Sequence, residues 1–127
     1  RYARQWLFAA YDMSLTTPQP KEALESWQAL EGATPLGTFK GTMFPASFGH
    51  LMGGYASGYY GYIWSEVLAL DMLSGFHGKL MNPVDGKRYR TDILSQGGQE
   101  PPEQLVEHFL GRKPNSEAFF KEITGQR

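Results

Sequence analysis

Eight of the fifteen glycines fall between Gly32 and Gly61, in a stretch with few charges and no sustained periodicity. Glycine gives up more backbone freedom on folding than any other residue and weakens helix and strand alike. This stretch is therefore expected to be a long irregular segment, with regular structure confined to either side. Long ordered loops are uncommon in compact domains and usually carry function.

On both sides the apolar residues recur at helical spacing. Ala3, Trp6, Leu7 and Ala10 follow the pattern of one helical face, and the run stops at Thr17-Pro18. A second helix fits Lys21 to Leu30, with Leu24, Trp27 and Leu30 three apart and Gly32 placed to close it in the left-handed conformation. From about Tyr59 to Phe76 apolar side chains cover most of the helical circumference, which predicts a buried helix. Asn82-Pro83 supplies a capping side chain followed by proline in the first turn, and Asp85 adds favourable charge, so a further helix should run toward Gly97-Gly98. Pro101-Pro102 opens a turn with Leu105, Val106, Phe109 and Leu110 on one side before Gly111. Asn115 or Ser116 can cap a last helix through Phe119, Phe120 and Ile123. No alternating strand and no repeat is visible, so the fold class is mainly α, one fragment across residues 1–127.

Composition removes several functions. Twelve basic residues stand against 13 acidic ones, without the basic excess that neutralising phosphates requires, so nucleic acid is not an expected partner. There is no cysteine, which removes disulfides and thiolate metal sites and fits a reducing compartment, with cytoplasm the default. The apolar stretches are broken by Glu66, Asp71 and glycines, short of the roughly 20 residues a membrane helix needs, and no membrane role is expected. Arg1 to Tyr11 reads as amphipathic helix with no initiator methionine and no signal segment, which suggests that the sequence starts inside a larger protein.

The most unusual stretch is FGHLMGGYASGYYGYIWSEV, from Phe48 to Val67, which sets four of the seven tyrosines within eight residues and spaces them with glycine. Glycines allow a ligand close to the backbone, while each tyrosine offers a rigid aromatic face and a hydroxyl. Together they suit gripping a polar polymer. On composition alone, the reading in which the tyrosines only pack and the glycines only turn is equally open.

This stretch is similar to the glycine-rich loop and following helix of the thimet oligopeptidase and neurolysin family, bacterial dipeptidyl carboxypeptidases included. The resemblance extends to Pro45-Ala46-Ser47 before it and to Asp71-Met72, Tyr89-Arg90, Ile93-Leu94, Gly97-Gly98, Phe109 to Arg112, Pro114 and Ala118 after it. The first forty residues resemble the family only weakly. Ala56, where vertebrate members carry an acidic residue, and Met43-Phe44 ahead of the loop depart from the pattern and leave peptide preference open.

The resemblance implies the C-terminal part of a zinc peptidase acting on short peptides. In that family zinc, bound by H-E-x-x-H and a downstream glutamate, activates water, and the loop supplies donors to the substrate and the tetrahedral intermediate. It further implies that His50 hydrogen-bonds the peptide near the scissile bond and that Tyr62 helps stabilise the oxyanion. Tyr55 is implied to contact substrate, with Tyr59, Tyr60, Gly53 and Gly54 completing the binding loop.

The metal motif itself is not in this sequence. Its histidines are His50, His77 and His108, and the residues four beyond them are Gly54, Met81 and Arg112, so no zinc-binding helix can be written. Glu66 and Asp71 point about 140° apart on a helix and read better as hydrogen-bonded structural groups. His77 and His108 read as helix-end or surface residues, and Arg88, Arg90 and Arg112 as partners of local carbonyls or acids. The expectation is zinc in the complete enzyme and none on this fragment, which alone should be silent. The remainder of the catalytic domain is the expected partner, with self-association of the isolated piece through its uncovered face. The competing readings are a stand-alone peptide-binding or scaffolding module without catalysis and, more weakly, carbohydrate binding through stacked aromatics.

Overall fold

The structure, a computed structural model, describes residues 1–126. Those residues form helices and turns with no strand among them: α1 (Tyr2–Ser14), α2 (Ala23–Gly32), α3 (Phe44–Ser47), α4 (Gly61–Ser74), α5 (Pro83–Tyr89), α6 (Pro102–Leu110) and α7 (Glu117–Thr124). The chain divides into two compact units, residues 1–63 and 64–127.

The first unit is built on aromatic packing. Leu7 and Tyr11 of α1, Trp27 of α2, Phe48 and Tyr59 are buried together, with Phe8, Leu30 and Phe44 packed against them. Phe44 stacks on Trp27 at 4.4 Å between ring centres and on Phe8 at 4.9 Å. The face of α1 turned inward is therefore Leu7, Phe8 and Tyr11, rather than the Ala3, Trp6, Leu7 and Ala10 face expected from spacing. Trp6 is 53% exposed. Two overlapping apolar stripes run along α1, and tertiary contact selects the one carrying Phe8 and Tyr11.

Helix α2 also ends differently from the expectation. Gly32 is its last residue, and Ala33 follows in right-handed geometry, so no left-handed closure occurs there. A side chain at Gly32 would meet Thr38 Oγ1 at 2.9 Å, and Thr38 Oγ1 itself donates to the Gln28 carbonyl at 3.1 Å. Close approach of the returning chain is what requires the glycine. The irregular stretch beyond is interrupted by α3 and by a single 3₁₀ turn at Gly49–Leu51.

In the second unit, Leu105, Val106 and Phe109 of α6 are buried, with Phe76 and Tyr89 stacking around Phe109 at 5.7 and 5.5 Å. Asn82 accepts from the Val84 amide to start α5, and the predicted run toward Gly97 is realised as α5 followed by a π turn at Arg90–Leu94. Gly111 closes α6 at φ +68°, and Asn115 rather than Ser116 supplies the side-chain acceptor at the start of α7. Helix α4 corrects a further expectation. Of its residues only Asp71 is buried, while Trp64 is 66% and Leu73 47% exposed. The helix is apolar around its circumference, as a buried helix is, but residues of this chain cover only part of it.

Candidate functional site

The glycine and tyrosine segment is held from both ends. Phe48, buried against Phe8 and Phe44, fixes its start. The 3₁₀ turn then carries His50 outward, and the chain reverses at Gly54, whose φ of +76° suits glycine. A turn closes from the Gly58 amide to the Tyr55 carbonyl at 3.0 Å. A side chain at Gly58 would stand 3.1 Å from that carbonyl. Ser57, within the turn, takes φ +59°, a conformation uncommon outside glycine.

The far end is tied to α1. Asp12, buried on that helix, accepts hydrogen bonds from the Ser57 amide (2.9 Å) and the Tyr59 amide (3.0 Å). Ser57 Oγ donates to Thr16 Oγ1 at 2.7 Å on the exposed side. The Tyr59 ring meets Phe8 and Phe48 edge-on, so it is both backbone-anchored and packed. Burial pushes its hydroxyl above the usual phenol range, a hydrogen bond from Gln5 opposes this, neighbouring Tyr62 adds to it and the charge on Arg4 opposes it.

Helix α4 begins immediately after, with Tyr62 in its first turn. Tyr62 Oη and His50 Nε2 lie 3.3 Å apart, each able to donate according to the imidazole tautomer. His50 stands edge-on to Tyr59, Tyr62 and Tyr55 at 5.0, 5.8 and 6.1 Å between ring centres. These rings, with Gly53 and the Phe8 and Phe48 floor, border an open concavity of about 630 Å³.

Four expected site residues, His50, Tyr55, Tyr59 and Tyr62, thus converge. Within the set, Tyr59 is 7% exposed and acts as floor, whereas Tyr62 and Tyr55 are 48% and 40% exposed. Gly53 borders the concavity and Gly54 turns the chain beside it. Tyr60 is 53% exposed and stands outside the ring cluster. Asp12, Phe8 and Thr16 support the site without having been expected. An acid on the apolar side of α1, one turn after Phe8, was the available signal for Asp12.

No three or more carboxylates and imidazoles come together to hold a metal ion among the described residues. His77 and His108 belong to the second unit; His77 sits exposed in the turn after α4, and His108 Nδ1 faces Glu100 at 3.5 Å. Arg88 reaches the Gly75 carbonyl and Asp85 and lies 5.0 Å over Phe109, a structural arrangement. No helix among the described residues is long and apolar enough to cross a membrane.

Comparison with known proteins bears on both units at once. The family profile described as "Peptidase family M3" matches residues 1–125. The chain is 45% identical over 86 residues to a thimet-like oligopeptidase of Dictyostelium discoideum, covering 66% of this chain and 13% of that protein. It is 44% identical over 79 residues to oligopeptidase A of Haemophilus influenzae, covering 61% of this chain and 12% of that one. With saccharolysin of Saccharomyces cerevisiae the identity is 36% over 130 residues, covering 94% of this chain and 18% of the relative. The chain thus spans less than a fifth of the length of these proteins. A match running from α1 through α7, with the ring-lined loop inside it, means that the chain belongs to peptidase family M3.

Proposed function

We propose that this chain is the substrate-gripping and transition-state-stabilising part of a zinc-dependent oligopeptidase that hydrolyses short peptides, and that it forms one C-terminal portion of that enzyme's catalytic domain. The observation that carries the reading is the approach of His50 Nε2 to Tyr62 Oη, 3.3 Å apart at the rim of the concavity. Two hydrogen-bonding groups converge there on a space walled by aromatic rings. One can hold a peptide carbonyl while the other meets the charge that develops on it, and donors fixed before reaction stabilise such charge without reorganising.

We assign no zinc site to this chain; among the described residues no three or more carboxylates and imidazoles come together. Zinc and the general base belong, on this reading, to sequence beyond these residues, and the mechanism assigned to this chain is peptide binding, orientation and hydrogen-bond donation. The exposed Trp64 and Leu73 of α4 supply apolar surface for the remainder of the catalytic domain, or for a second copy when the piece is isolated. A cytoplasmic setting suits a chain without cysteine.

Elemental analysis and a quenched-peptide assay on the 127-residue chain test the partition. Neither stoichiometric zinc nor hydrolysis is expected; one tightly held zinc per chain with chelator-sensitive turnover would overturn it. The rival reading, a peptide-binding module without catalysis, predicts that the complete protein also lacks turnover.

Tyr55 gives a second test within the loop. Its ring packs 5.7 Å from Tyr62, yet its hydroxyl is not the one paired with His50. Tyr55→Phe in the complete enzyme is expected to raise KM by about three- to tenfold with kcat little changed, the loss of one hydrogen bond made equally in ground and transition states. Steady-state kinetics on a short peptide decide it, and an equal fall in kcat would assign Tyr55 to the chemical step instead.

A further inference from the structure

We propose that Asp12 is the positioning residue of this site, its carboxylate fixing the turn that sets Tyr55, Tyr59 and Tyr62 against His50. The inference rests on the functional reading above and adds a residue outside the loop itself. Each Asp12 oxygen takes one backbone amide: Oδ1 that of Ser57 at 2.9 Å and Oδ2 that of Tyr59 at 3.0 Å. The two amides flank Gly58, whose own amide closes the turn onto the Tyr55 carbonyl at 3.0 Å. Ser57 is held at φ +59°, an unfavourable conformation for a serine that persists only when neighbouring contacts enforce it. The contacts at hand are the carboxylate on its amide and Thr16 on its hydroxyl.

The consequence is directional. Tyr59 is followed by Tyr60, Gly61 and Tyr62, and the Tyr62 amide bonds back to the Tyr59 carbonyl at 3.1 Å, so the Tyr59 backbone sets where α4 starts and where the Tyr62 hydroxyl points. Ionised carboxylates accept amide hydrogen bonds more strongly than neutral groups do. A buried acid receiving two amides 45 and 47 residues away in sequence clamps the loop to α1 rather than merely capping a helix.

The test uses the complete peptidase. Asp12→Asn keeps the shape but turns an NH₂ group toward one of the two amides. It is expected to lower kcat/KM roughly 10- to 100-fold, the scale of a misplacement of about 1 Å. Amide hydrogen exchange should accelerate in residues 55–60 while α6 stays unchanged. In a double-mutant cycle, Asp12→Asn should cost much less once Tyr62 is already Phe, because the positioned hydroxyl is gone. That coupling separates positioning from a general loss of stability. Full activity despite faster exchange at 55–60, unchanged exchange there, or additive effects in the cycle would each overturn the proposal. If Tyr62→Phe alone proves silent, the reading of the site fails, whereas Asp12→Asn reports on the clamp through exchange in any case. Should Asp12→Asn not fold, Thr16→Val loosens the same turn from its exposed side and is expected to cost about two- to fivefold in kcat/KM; no effect there would overturn the clamp.

Discussion

Tyr62→Phe in the complete peptidase is expected to lower kcat and kcat/KM together by roughly 10²- to 10³-fold, the scale set by removal of one oxyanion donor. The substitution takes away one oxygen and leaves the ring, whose contacts with Tyr59 at 4.8 Å and Tyr55 at 5.7 Å remain. Tyr62 is half exposed and its hydroxyl pairs with the solvent-exposed His50, so its loss strands no buried group and stability should change little. If the hydroxyl engages the carbonyl oxygen only as that oxygen becomes negative, the binding of substrate is untouched and KM stays near its original value. Steady-state kinetics with one short peptide, and a thermal melt beside them, suffice. Unchanged kcat would return Tyr62 to a packing role and the tyrosine cluster to the bland reading that composition alone left open.

What the sequence disclosed about this site was local. His50, Tyr55, Tyr59 and Tyr62 lie within thirteen residues, and the turn that brings them near one another uses glycines visible in the sequence, Gly54 and Gly58. Helix ends whose signals are local were equally legible, as Asn82, Gly111 and Asn115 show. The contributions that escaped are those decided across long separations. Periodicity on α1 offered a stripe through Trp6 and another through Phe8, and only the arrival of Phe44 and Phe48 from more than thirty residues away chooses between them. Asp12 is invisible as a clamp until the loop returns to it. Helix α4 misled in the other direction, since an all-round apolar helix announces burial without saying which chain provides the cover. Tyr60 shows the limit of reading by type: adjacent to Tyr59 and chemically identical, it lies 53% exposed in the tight turn closed by the Gly61 amide on the Gly58 carbonyl, while Tyr59 is buried.

The second large effect concerns stability, and it rests on Asp71, the one fully buried acid of α4. Its carboxylate is 1% exposed and receives a fork from Arg112, with Nη1 donating to Oδ2 at 3.0 Å and Nη2 to Oδ1, together with the Asn115 amide at 2.8 Å. One acid thereby ties α4 to the segment that leads from α6 into α7. Burial by itself would raise the carboxyl, but the Arg112 hydrogen bonds, the Asn115 amide and the guanidinium charge outweigh it and hold the group below the ordinary carboxylate range. Arg112→Ala removes the cation and leaves the buried charge with a backbone amide alone. Breaking such a pair costs several kcal/mol, and because Arg112 is 42% exposed and water can partly take its place, about 3 kcal/mol is expected. The pH dependence carries the diagnosis. A carboxyl depressed in the folded state stabilises the fold at pH values above its unfolded value of about 3.9, and that contribution is lost as pH falls through the lower folded value. In Arg112→Ala burial is no longer outweighed, so the acid should protonate more readily than in the unfolded chain and relieve its own penalty as the solution becomes acidic. The gap between the two proteins should therefore be widest near neutral pH and close on approach to pH values below about 4. Urea unfolding of the 127-residue chain across that range measures it directly. A gap under about 1 kcal/mol at neutral pH, the value of an ordinary surface pair, or one that does not narrow with acid, would mean that solvent already screens the bridge and that α4 is held by packing instead.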